Sequence, residues 1–188
     1  MSLEIRDYHI EDDSFLIPII ENEWKFHLYG ENWPELVREY IKDYVSRSDY
    51  CRVAVLDGKV VGIATVCVEI HTDNYVIPEE FADSEYFRDR ETMDTLDARL
   101  RSEIDISGLG ELVLIIVSKE HKGKHIGSAL MDDVSGYLRD HGCRGMHIST
   151  DTDCNYGFYE HLGSEKVGCG ECIVQGNMIT RFLYRLVF

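Results

Sequence analysis

Residues 111–128 bring chemistry-bearing side chains into the tightest spacing in the chain. Glu111 precedes an apolar run, Leu112–Val117, that stops at Ser118. A short loop follows with Lys119, Lys122, Lys124, Gly123 and Gly127, and from Ser128 to about Asp140 the pattern reads as a helix. A buried strand feeding a glycine-bearing basic loop at a helix start suits pyrophosphate: the N–H groups point at the ligand and the helix dipole favours its charge. The 35 acidic and 19 basic side chains give a formal net charge of −16. Three lysines in one loop of so acidic a chain point to an anionic ligand there; the alternative is a solvated loop with ordinary surface lysines.

The segment Lys122-Gly123-Lys124-His125-Ile126-Gly127 resembles the Arg/Gln-x-x-Gly-x-Gly/Ala loop of the GNAT family of N-acetyltransferases. Lysine stands at the Arg/Gln position, keeping the charge without the planar fork. His125 stands where the family usually has glycine, and histidine tolerates left-handed backbone angles better than most residues. Downstream, Asn155-Tyr-Gly-Phe158-Tyr159-Glu-His-Leu-Gly163 is similar to the family's Asn…Phe-Tyr-Glu-x-x-Gly signature. The resemblance covers about residues 50–188. It implies an α/β (α+β) single domain over 1–188, with a mixed, mostly antiparallel sheet of about six or seven strands and about five helices. It also implies acetyl-CoA as co-substrate, with no metal. The residues implied to hold it are Ile116, Val117, Lys122, Gly123, Lys124, His125, Ile126, Gly127, Ser128, Asn155, Phe158 and Tyr159. In the resembled fold the Leu112–Val117 strand runs parallel to the next, Gly145–Ser149, and splays from it to admit the pantetheine arm. Backbone N–H groups near Ile116 and Val117 would then pair with the arm.

Acyl transfer from a thioester to an amine needs a base for the ammonium proton and an acid for the thiolate. Tyr159 is the candidate acid, because a phenol near pKa 10 can protonate a thiolate while remaining neutral itself. A Phe-Tyr pair on a short helix also serves core packing, so packing is the competing role. Glu111 is the candidate base, by resemblance to the histone-lysine acetyltransferases of the family. Strand alternation puts Glu111, Val113, Ile115 and Val117 on one face. Glu69 and His71, closing the preceding strand, are rival bases, and ordered water is a third.

Several elements must position these groups. Leu3–Arg6 alternates as an edge strand, and Asp12–His27 is helical with Pro18 near its start. Asn32-Trp-Pro-Glu35 reads as a capped helix start. Arg52–Leu56 and Lys59–Ile70 flank the hairpin signal Asp57-Gly58, and Cys172–Val174 and Met178–Val187 flank Gln175-Gly-Asn177. Residues 72–110 form an insert with 11 acidic and 4 basic side chains, a net −7. Met93, Leu96, Leu100 and Ile104 predict an amphipathic helix inside it. The insert either recruits a cationic acceptor, packs on the sheet edge or meets a second subunit.

At 188 residues and 44% hydrophobic, the chain can bury one sizeable core. It has no run of the ~18 apolar residues a spanning helix needs and no leader pattern, so a soluble, cytoplasmic protein is expected. The acidic balance disfavours nucleic-acid and membrane surfaces and leaves a small-molecule or protein amine as partner, with a homodimer allowed. Six scattered cysteines read as reduced. The pair Cys169 and Cys172 has CxxC spacing, yet falls among glycines between strands with no second pair to complete a metal site. The expected activity is transfer of an acetyl group to a primary amine. A non-catalytic acyl-CoA-binding module and a transferase for longer acyl groups remain the alternatives.

Overall fold

A computed structural model describes residues 2–30, 32–71 and 75–188. The first residues of the expected insert, 72–74, lie outside that range. One sheet organises the chain: β1 (Leu3–Asp7), β2 (Tyr50–Leu56), β3 (Lys59–Cys67), β4 (Leu109–Val117), β5 (Gly145–Asp151), β6 (Glu165–Val174) and β7 (Asn177–Val187). Their order is β1-β2-β3-β4-β5-β7-β6, and every pair is antiparallel except β4 with β5. Both expected hairpins form. Asp57 and Gly58, and Gln175 and Gly176, carry the paired positive φ angles of tight primed turns.

Among the described residues, five α-helices cover the sheet. α1 (Asp13–Trp24) and α2 (Trp33–Ser46) lie on one face, burying Leu16, Ile20, Val37 and Ile41 against Val53, Ile63, Leu114 and Ile116. α3 (Glu85–Ser102) continues that face over β6 and β7, with Leu96 and Leu100 on Leu183 and Ile104 beside them. Close approach there requires Gly170, where an added Cβ would meet Leu96 Cδ1 at 2.7 Å. α4 (Ile126–Asp140) covers the other face through Leu130, Met131, Val134 and Leu138. α5 (Gly157–His161) is a single turn after β5.

Four local expectations change. α1 stops at Trp24 because Lys25 turns left-handed at φ 53°, and Pro18 lies inside the helix, not at its start. Asn32 occupies the N-cap position of α2, yet its side chain makes no capping hydrogen bond. β3 ends at Cys67, so Glu69 and His71 fall in the segment beyond it. β6 begins at Glu165, so Cys169 and Cys172 lie inside a strand, three apart and on opposite faces of the pleat. No helix among the described residues is long and apolar enough to cross a membrane. No group of His, Cys, Asp and Glu among them converges as a metal site would.

Candidate active site

β4 ends at Val117 and the chain makes a tight turn over Lys119–His121. Gly123 (φ +77°) and His125 (φ +58°) then both turn left-handed, aiming the chain into α4, which starts at Ile126. His125 thus takes the backbone angles that glycine adopts without strain. The fully buried Ile126 anchors the turn. Among the described residues, the backbone N–H groups from Gly123 to Ser128 donate to no protein acceptor, and Ala129 is the first whose N–H closes on the helix, to His125 O. This is a row of free donors at the positive end of a helix, the arrangement that holds phosphate oxygens. Lys122 and Lys124 are exposed beside it. Lys119 is not available: its Nζ lies 2.6 Å from Asn22 O and 3.2 Å from Glu23 on α1, tying the loop to that helix.

The second motif folds back onto the first. An ideal Cβ on Gly127 would stand 3.2 Å from the ring tip of Phe158. Phe158 and Tyr159 diverge at 63° between ring planes. Tyr159 is 9% exposed and packs toward Tyr184, with centroids 6.1 Å apart. Its hydroxyl makes no hydrogen bond to any described residue. Burial pushes the phenol well above its ordinary value, so it stays protonated at neutral pH. Asn155 is exposed, and its backbone carbonyl accepts from Phe158 N at 3.1 Å to start the α5 turn.

Between the motifs the sheet opens. β4 and β5 pair only from Leu109–Gly145 to Leu112–Ile148. Val113–Val117 and Ser149–Asp151 then part. The β3–β4 ladder also slips at Thr65/Val66, leaving Val113 as an extra residue. Ser118 N bonds Val61 O at 2.8 Å, so by antiparallel alternation Ile116 spends its backbone groups on β3 while those of Val117 turn toward the gap. Of the two donors expected for the arm, the ladder leaves Val117 free and Ile116 engaged.

The bulge at Val113 also overturns the expected strand face. Leu112, Ile115 and Val117 pack on the α4 side, whereas Leu114 and Ile116 face α1 and α2. Glu111 therefore sits opposite Leu112, on the helix face of α1–α3. Its Oε1 lies 3.7 Å from Arg101 Nη1, and its Oε2 accepts from the Cys67 thiol at 3.7 Å. Burial raises its proton affinity above the ordinary carboxylate range, and the charges of Arg101 and Arg47 oppose that rise. Across the ladder stands His147, 1% exposed, with Nδ1 unpartnered. Burial, aided by Arg101, lowers its pKa to about 4.

The rival bases lie just beyond the end of β3. His71 Nε2 lies 3.0 Å from Asp49 Oδ1. Glu69 is exposed at a hollow that Cys143, His141 and His147 also line.

Arg181 was not singled out in the sequence, although an arginine inside the apolar strand Met178–Val187 was a signal. It pairs with Asp97 of α3 and, at 2.8 Å, with Asp151 of β5. Asp97 adds to the field at Glu111, and Asp151 and Arg181 act on Tyr159. One buried guanidinium thus links the surroundings of both candidate proton carriers. Much of the insert's acidity is spent on partners within the fold. Asp94 pairs with Arg90, Asp97 with Arg181, Glu103 with Arg99, and Asp105 with Arg144, while Asp89 accepts from Tyr29 and from Gln175 N. Glu79, Glu80 and Asp83 remain exposed.

Residues 16–163 match the acetyltransferase (GNAT) family. No curated protein matches the sequence significantly. Among solved structures the chain is similar to the N-acetyltransferase from Staphylococcus aureus Mu50, at 14% identity, with 100% of this chain and 99% of that one covered and a TM-score of 0.63. It is similar to the ribosomal-protein-alanine N-acetyltransferase from Brucella melitensis at 16% identity, covering 98% and 99%, TM-score 0.62. A third similar structure is the PaiA N-acetyltransferase from Thermoplasma acidophilum in complex with coenzyme A, at 17% identity with both chains fully covered (100%) and a TM-score of 0.54. The parted β4–β5 pair, the loop of unpaired donors and the family match agree: the chain belongs to the GNAT family of acetyltransferases.

Proposed function

We propose that the chain transfers an acetyl group from acetyl-CoA to a primary amine by direct attack within a ternary complex. The observation that carries this reading is the run of free N–H groups, Gly123–Ser128, at the end of the strand that parts from β5 after Leu112. That run takes the pyrophosphate, with Lys122 and Lys124 adding charge. The pantetheine arm enters the gap, pairs with Val117 N–H and passes Asn155 and Phe158. A donor in that gap polarises the thioester carbonyl and stabilises the oxyanion; such donors contribute a few kcal/mol, ~3, to a barrier.

The neutral amine then attacks the carbonyl carbon, and the tetrahedral intermediate expels the CoA thiolate as the C–S bond breaks. Tyr159 O–H gives its proton to the sulfur. The ammonium proton passes to Glu111 through water, since a carboxylate of raised proton affinity is suited to the base role near neutral pH. The acceptor arrives as an ammonium ion, and the exposed Glu79, Glu80 and Asp83 favour its approach. Release of free thiol from acetyl-CoA against a panel of amines tests the proposal. Amine-dependent release supports it, and CoA binding without release under any amine refutes it in favour of a binding module.

A further inference from the structure

α2 and α3 flank a cavity of about 600 Å³ on the Glu111 side of the sheet, a volume ordinary for a small-ligand site. Its wall carries both signs of charge in equal number: Asp43, Glu91 and Asp94 against Arg47, Arg88 and Arg90. Arg90 meets Asp43, Arg47 Nε stands 3.3 Å from Asp43 Oδ1, and Arg90 Nε stands 3.3 Å from Asp94 Oδ2. These ion pairs are close, yet poorly aligned. Arg47 Nε and Arg90 Nε are buried without a well-aligned hydrogen-bond partner, while Asp43 Oδ2 is taken by Arg90 Nη1. Arg90 and Asp43 are 8% and 1% exposed. A buried N–H left without a well-aligned acceptor is costly, so the two Nε atoms would gain from an acceptor that a ligand can supply. Both guanidinium groups also lie over the Tyr44 ring, at 4.7 and 5.2 Å, which fixes their planes.

Charge decides what fits. The wall is neutral as a whole, so a bound cation or anion would leave one buried charge uncompensated, whereas a zwitterion would not. Planar guanidinium donors match a carboxylate. Arg47 connects this wall to the reaction centre, since its charge also acts on Glu111. We infer that the α2–α3 cavity is the acceptor subsite and takes an amine that also carries a carboxylate. The carboxylate lies on the unpaired edges of Arg47 and Arg90, and the amine points to Glu111. This inference rests on the acetyl-transfer reading and narrows its acceptor.

The test compares three amines of matched length, an amino carboxylate, a diamine and an alkylamine, by kcat/KM with acetyl-CoA. The amino carboxylate should lead by about ten-fold or more, a discrimination of ~1.4 kcal/mol. Arg47→Gln should erase most of that preference. Ala98→Trp, which fills the cavity from α3, should raise KM for the amino carboxylate while CoA affinity, the control for folding, holds. A leading diamine or alkylamine overturns the inference, as does an Arg47→Gln variant whose preference is unchanged. Should none of the three be acetylated, calorimetric titration of the amino carboxylate into the CoA-bound protein decides the subsite. Binding abolished by Ala98→Trp supports it, and absence of binding to the unaltered protein overturns it.

Discussion

Phe158 rests against Gly127, so close that a methyl group there would stand 3.2 Å from the ring. This contact joins two motifs separated by thirty residues of helix and strand, and it makes the first turn of α4 a place where only glycine fits without displacement. Gly127 is the second residue of that helix, where proline is compatible with the backbone because no intrahelical N–H is lost. Gly127→Pro should therefore weaken CoA binding by about ten-fold or more, from one missing donor and a crowded ring. Adding Phe158→Ala relieves the crowding, with Phe158→Ala alone as the control for the ring's own contact with the arm. Calorimetry should find the double variant still weak, and full recovery would reduce the Gly127 N–H to a bystander.

Removing the Tyr159 hydroxyl separates catalysis from packing. The hydroxyl has no described partner in the free protein, so Tyr159→Phe should leave stability within about 0.5 kcal/mol. It should lower kcat by about ten-fold or more, on the order of 1.4 kcal/mol, with CoA affinity unchanged. Wild-type turnover would leave Tyr159 a core residue only.

Arg101 belongs to the inserted helix and acts on Glu111 from 3.7 Å. Its charge favours the ionised carboxylate, so Arg101→Gln should raise the Glu111 pKa further and move the acid limb of the kcat/KM profile to higher pH. Arg101→Lys should restore much of the original position. Glu111→Gln should remove the limb itself. A profile unmoved by all three changes would transfer the base role to water.

His147 supplies a stability signal distinct from turnover. Its folded pKa, about 4, lies below the unfolded value of 6.5. The unfolded chain therefore binds a proton first as pH falls. The stabilisation is fully present above pH 6.5, declines as pH drops, and its loss is complete near pH 4, amounting to about 3 kcal/mol. Denaturant midpoints measured across that window should fall less steeply for His147→Gln than for the parent. Parallel slopes would mean that His147 titrates normally in the fold.

Much of the sheet was legible in the sequence because alternation and turn chemistry are local. Asp57-Gly58 and Gln175-Gly176 needed only their own backbone preferences, and Leu112–Val117 announced itself as a buried strand. The Glu111 face was misread because one bulge residue, Val113, reverses the parity of everything before it, and nothing in an apolar run marks which residue bulges. Lys119 was counted with the anion-binding lysines because its partners, Asn22 and Glu23, lie on a helix distant in sequence. Arg181 shows the same limit: its strand was readable, but its role depends on Asp97 and Asp151, which only the tertiary fold brings to it. The buried Cys67 beside Glu111 was likewise invisible; burial and the Glu111 charge push its thiol up to about 12, which keeps it protonated and a poor nucleophile.

The most direct measurement of the central claim is a single turnover with acetyl-labelled acetyl-CoA, quenched over time and separated into protein and small-molecule fractions, with and without the amine best used in steady state. Direct attack predicts that label leaves acetyl-CoA only when amine is present and appears in the acetylated amine in step with free CoA, with none on denatured protein. Label accumulating on the protein before the amine is added, at Cys67 or elsewhere, would contradict the ternary-complex account.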